Sequence, residues 1–227
     1  MSTILILFIC HIISDFYIQS NIIAKNKKNL NTSMLKHSFI YSVTYLLALC
    51  LVKEGAYYLI VIIISHLLID VCSVHFKNKY QDKECMLFCI DQILHLTVIY
   101  YCSFYIVLKE TFSLNILTTI LAILILIKPV SIFISLIFKT IFRNEKNVEE
   151  IKIGRYIGYL ERTIIFLLCI FNSISTIGFV LAAKTLVRYK DINTNENHFQ
   201  EKYLIGTLLS TIGALCCFAL VKFIGIN

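Results

Sequence analysis

Residues 56–76 read Ala56-Tyr-Tyr-Leu-Ile-Val-Ile-Ile-Ile-Ser-His66-Leu-Leu-Ile-Asp70-Val-Cys-Ser-Val-His75-Phe76. These 21 positions hold no Lys, Arg, Glu, Gly or Pro, and Asp70 is their one carboxylate. An α-helix needs about 20 apolar residues to cross the hydrocarbon core of a bilayer. The rest of the 227-residue chain has the same character: 58% hydrophobic residues, 15% charged, and a mean hydropathy of +0.80. Soluble domains are nearer half apolar and a quarter charged. With 7 Gly and 1 Pro, a collagen-like or disordered chain is excluded. The bilayer is the solvent to reason with.

Seven stretches have the length and character of spans: Thr3–Ala24, Leu35–Val52, Ala56–Phe76, Met86–Leu108, Leu114–Phe138, Arg162–Ala183 and Tyr203–Ile226. The expected fold is all-α, a polytopic membrane helix bundle of about seven transmembrane helices. A four-helix module at 1–110 would precede an extension of about three helices at 111–227. The first span carries His and Asp and lacks a basic leader, so it reads as a span and not a signal peptide. Loops one, three and five hold 12 Lys/Arg against 6 in loops two, four and six. The positive-inside rule then places the N-terminus outside and the C-terminus inside. Lys184, Arg188, Lys190 and Lys202 in the sixth loop oppose this assignment. Lys128-Pro129 interrupts the fifth span, which reads as a crossing helix followed by an interfacial one from about Ser131.

The nine cysteines show no regular spacing, and Cys85 and Cys89 have no second close pair to complete a four-thiolate zinc site. They read as lipid-facing or core residues. The net charge of +7 points to membrane lipids as partners, with no nucleic acid expected.

Ionisable groups within spans are costly and face a bundle interior or a cavity. Here they recur as pairs. The first span holds His11-x-x-x-Asp15, with Gln19 a further four residues on; the third holds His66-x-x-x-Asp70; the fourth holds Asp91-Gln92-x-x-His95. A spacing of four puts both members on one helical face. Because the fourth span runs opposite to the first and third, its reversed order restores the same vertical order. The three Asp form one layer and the three His a second, about 6 Å deeper. His37 starts the second span at the cytoplasmic mouth, where it would protonate a leaving group. Gln19 and Gln92 can orient the ligands.

Imidazole and carboxylate together suit a divalent ion such as zinc, iron or manganese. His11, His66 and His95 with Asp15, Asp70 and Asp91 are the candidate ligands. They would hold one ion, or two sharing a bridging carboxylate, and one Asp would serve as general base. Hydrolysis of a phosphoester, amide or ester would follow. The simpler alternative is that each pair is a buried hydrogen bond holding helices together.

These motifs, with Ala24-Lys25-Asn26-Lys27, Lys36-His37 and Ser65-His66, resemble the bacterial membrane family named domain of unknown function 3307 across residues 5–105. The resemblance implies a bacterial cytoplasmic (inner) membrane protein and carries no established activity. A looser similarity links the His/Asp content to membrane metal-dependent hydrolases. Further on, Ile153-Gly154-Arg155-Tyr156-Ile157-Gly158-Tyr159-Leu160-Glu161-Arg162, Ala182-Ala183-Lys184 and Tyr203–Ser210 resemble the extension of longer family members. Gly154 and Gly158 would allow close helix approach, and Glu161 with Arg162 would pair at a helix start. Lys128, Arg155 and Arg162 would bind an anionic head group, or act as positive-inside anchors. In the seven-span topology Lys184 falls on the other side, so the three motifs need not meet; the alternative for such motif density is a re-entrant sixth span with a different loop assignment.

The leading expectation is a metal-dependent membrane hydrolase with a buried His/Asp site open to the cytoplasm, acting on a lipid-linked or amphipathic substrate. The alternatives are a proton- or ion-coupled transporter or channel, and a non-enzymatic membrane sensor or effector.

Overall fold

A computed structural model describes residues 1–18, 32–142, 152–187, 189 and 199–225, and they are almost entirely α-helical. The chain divides into two compact units, Met1–Leu124 and Ile125–Asn227.

In the first unit, α1 (Ser2–Ile12) runs on as a π-helix over Ile13–Ile18. The Ser14 hydroxyl donates back to two carbonyls of the preceding turn, Cys10 O at 2.8 Å and His11 O at 3.0 Å. Helices α2 (Thr32–Ala48), α3 (Tyr57–Lys79) and α4 (Glu84–Ser103) follow. At one end of the bundle, β1 (Val52–Glu54) and β2 (Val107–Leu108) form an antiparallel ribbon with Val52 opposite Leu108. Gly55 turns out of β1 at φ +79°, and a Cβ there would sit 1.9 Å from Tyr105 O. Only glycine meets both conditions. Beside the ribbon, Tyr41, Tyr45, Ile62 and Ile99 fill the core, and the Tyr45 hydroxyl donates to Leu7 O at 2.9 Å.

The bundle is polar inside and apolar outside. His11, His37, His66, Asp70, Asp91 and His95 are buried, whereas Leu35 and Phe39 are each 70% exposed and Leu68 is 60% exposed. Among the described residues, five helical stretches are long and apolar enough to cross a membrane: Met34–Leu51, Tyr57–Lys79, Glu84–Ser103, Leu114–Ile141 and Phe199–Gly225. The all-α bundle is as expected, and the number of such stretches among the described residues differs from about seven. The described part of the first span ends at Ile18, and the sixth span is broken.

Helix α5 (Leu114–Ile141) passes from the first unit into the second as one helix through Pro129, so the expected division into crossing and interfacial helices does not occur. Pro129 has no N–H to offer the preceding turn. The guanidinium of Arg162 binds two other carbonyls of that turn, Nε donating to Leu126 O at 3.0 Å and a terminal nitrogen reaching Ile127 O at 3.5 Å.

Arg162 lies on α6 (Lys152–Ile170), followed after three residues by α7 (Ile174–Val187). Ser173 N donates to Leu168 O at 2.8 Å and Asn172 N to Cys169 O at 3.1 Å, with Asn172 left-handed at φ 56°. This paired closure ends a helix and reverses the chain. Lys184 Nζ returns to Glu161 Oε2 at 2.5 Å and also reaches Thr207 Oγ1 at 3.0 Å. The expected Glu161–Arg162 pair is therefore replaced by Glu161–Lys184, and the separate motifs do meet.

Helix α8 (Phe199–Gly225) packs on α6 and runs antiparallel to α5. Its Gly206 faces Phe138 and its Gly213 faces Val130, where added Cβ atoms would lie 3.2 and 2.9 Å from those side chains. Close approach uses these two glycines. Gly154 has nothing within 4 Å of such a Cβ, and Gly158 meets Arg162 of its own helix.

Candidate metal centre

Four helices of the first unit deliver the His and Asp side chains to one buried cluster. Asp15 comes from the π turn, His37 from α2, His66 and Asp70 from α3, and Asp91 and His95 from α4. His37 Nε2 stands 3.2 Å from Asp15 Oδ1 and 3.3 Å from Asp70 Oδ2. His66 Nε2 is 3.9 Å from Asp15 Oδ1, and its Nδ1 is 3.8 Å from Asp70 Oδ2. His95 Nε2 is 3.7 Å from Asp70 Oδ1 and 3.8 Å from Asp91 Oδ1. Among the described residues, two groups bring donor atoms within 4.8 Å of one another, as a metal ion requires: Asp15, His37 and His66, and His66, Asp70 and His95.

Most of these separations exceed hydrogen-bond length. His66 Nε2, His95 Nε2 and Asp91 Oδ1 are buried with no hydrogen-bond partner among the described residues. Ligand atoms about 2.0–2.2 Å from a common ion lie roughly 3–3.6 Å from each other. The cluster has about that spacing, and an ion would compensate atoms that burial otherwise penalises.

The profile of the family described as Protein of unknown function (DUF3307) matches residues 3–125. The chain belongs to this family. No curated protein and no solved structure matches it. The DUF3307 region includes every residue of the cluster, and residues 126–227 lie outside the match.

In this DUF3307 module His11 stands apart from both groups, for a reason visible in its bonds. Gln92 Nε2 donates to Asp15 Oδ2 at 3.0 Å and reaches Asp91 Oδ2 at 3.4 Å. Its Oε1 therefore accepts from His11 Nε2, at 3.3 Å, and His11 Nδ1 accepts from the Tyr41 hydroxyl, also at 3.3 Å. Both ring nitrogens of His11 are thereby engaged. The chain Tyr41–His11–Gln92 ends on the Oδ2 atoms of two carboxylates and leaves their Oδ1 atoms toward His37 and His95. Such outer contacts set ligand orientation at metal sites.

His37, expected at the mouth, is fully buried between Asp15 and Asp70. Tyr41 is a residue that the pairing pattern of the sequence passes over, yet its ring stacks on His66 at 3.5 Å between centroids. The available signal is its position one turn after His37 on α2. Lys77, at the far end of α3, places Nζ 3.6 Å from Asp91 Oδ2. Gln19 lies outside the described residues. In the second unit Arg162 turns inward onto carbonyls and Ser210, Lys128 is half-buried on α5, and Arg155 lies on the exposed part of α6.

Proposed function

We propose that the protein is a multi-pass membrane protein whose His/Asp cluster binds a divalent ion, zinc, iron or manganese, and hydrolyses a lipid-linked or amphipathic substrate. The observation that carries this reading is the set of imidazole and carboxylate atoms held 3.2–3.9 Å apart by four helices, three of them buried without hydrogen-bond partners among the described residues. An ion held by such ligands lowers the pKa of bound water toward neutrality, and a neighbouring Asp can take the proton. A cluster surrounded by outward-facing Leu and Ile meets its substrate most readily from the bilayer.

A proton relay through the same residues is the competing chemistry. Gln92 argues against it, because its amide accepts from His11 and donates to Asp15, which aligns groups but passes a proton poorly.

The orientation we infer has the N-terminus outside, α6 and α7 entering and leaving on the inner side, and α8 running outward. Helix α7, at 14 residues, spans about 21 Å and is too short to cross. The basic sixth loop then joins the inner side, where 16 Lys/Arg face 2 in the outer loops, Lys53 and Lys109.

Elemental analysis of the purified protein tests the metal reading. At least one divalent ion per chain is expected, with loss in His66→Ala. Wild type without stoichiometric metal, together with unchanged folding of His66→Ala, overturns it. Proton flux in liposomes that Asp70→Asn abolishes would establish the relay instead.

A further inference from the structure

The geometry points to a centre built for two divalent ions bridged by Asp70, with a phosphate ester as the substrate class; this rests on the metal reading above. The two oxygens of Asp70 face different imidazoles: Oδ2 lies 3.3 Å from His37 Nε2, and Oδ1 lies 3.7 Å from His95 Nε2. On one side Asp15 Oδ1, His37 Nε2 and His66 Nε2 complete a set of donors. On the other, His95 Nε2 and Asp91 Oδ1 stand 3.8 Å apart. Each side contains buried atoms without a hydrogen-bond partner among the described residues: His66 Nε2 on the first, His95 Nε2 and Asp91 Oδ1 on the second. A single ion near Asp15 would leave the second side uncompensated.

His66 belongs to both donor groups, but a neutral imidazole has one lone pair to give. If its Nε2 serves the first ion, the second draws on Asp91, whose Oδ1 lies 3.8 Å from His95 Nε2. Gln92 spans the pair from outside, holding the Oδ2 atoms of Asp15 and Asp91 with one amide nitrogen. One group thus sets the outer carboxylate of both sides, and Asp70 joins them at the centre.

Charge selects the substrate class. Three carboxylates carry three negative charges; one divalent ion leaves the cluster at −1, whereas two leave it at +1. Lys77, 3.6 Å from Asp91 Oδ2, adds a further cation. A positive pair of ions clamps the oxygens of a phosphoryl group as its bonds change. In the reaction a water oxygen bonds to phosphorus while the ester P–O bond breaks. The water proton passes to a carboxylate and then to the departing alkoxide, so no oxidant or reductant is required.

The test loads the full-length protein in detergent with Mn²⁺ and measures ions per chain and binding of inorganic phosphate. Wild type is expected to hold two ions and to bind phosphate. Asp91→Asn and His95→Gln, two independent changes on the second side, are each expected to keep one ion and to bind phosphate at least tenfold more weakly. One ion in wild type, unchanged in Asp91→Asn, overturns the two-ion centre while leaving the metal reading intact. No bound ion overturns both. Two ions without phosphate binding overturns the substrate class. Phosphate release from phosphatidate vesicles supports the class with a lipid source, and release from glycerol phosphate supports it with a soluble source. Release from neither overturns it.

Discussion

Gln92 shows how much of the centre depends on a residue that contributes no ligand atom. It accepts from His11 and donates to Asp15, and it reaches Asp91, so three helices meet through one amide once Tyr41 is included. Replacing it by Leu should weaken metal binding by about 10- to 100-fold, as loss of an outer-shell partner does elsewhere. Chelator competition measures this, and unchanged affinity would mean that the carboxylates orient themselves. Gly55 is a residue-scale constraint of another kind. Gly55→Ala would put a Cβ against the Tyr105 carbonyl at a positive φ. The expected cost exceeds about 1 kcal/mol, read as a lower thermal midpoint in detergent. The His/Asp pairs were legible because a spacing of four is a property of one helix. His37 and Tyr41 acquire their roles only from what α2 packs against.

Among the elements, the α6–α7 hairpin departs most from what hydropathy suggests. Its halves are joined by the Asn172 turn, and the pair Glu161–Lys184 fastens them. Glu161→Ala should cost about 1–3 kcal/mol, because Lys184 then loses its acceptor in a partly buried site. Changing both residues to apolar ones, Glu161→Leu with Lys184→Met, should recover much of that loss. A double-mutant cycle by thermal unfolding checks the coupling, and strictly additive losses would show that the pair does not act as a unit. A window of apolar residues across Arg162–Ala183 looks like a span because averaging passes over a three-residue turn. The Asn172–Ser173 stop was present in the sequence, but asparagine is compatible with a helix interior as well as its end.

For the whole molecule, the direction of α8 sets where the C-terminus lies in the orientation proposed above. Gly206 beside Phe138 and Gly213 beside Val130 fix it as antiparallel to α5. A reporter fused after Asn227 should therefore read as outside; an inside reading would restore a crossing in the α6–α7 region. Composition alone determined that this chain is helical and apolar outside, because too few charges exist to cover a soluble surface and isolated backbone polar groups cannot be left in lipid. The one-dimensional spacing of His and Asp also marked the cluster, since helical periodicity converts sequence distance into a shared face. Tertiary structure alone decided that His37 enters the cluster while His11 turns to Gln92 and Tyr41, and that the sixth apolar stretch folds back on itself. Those outcomes depend on which side chains meet across helices far apart in sequence, and no spacing within one helix encodes that.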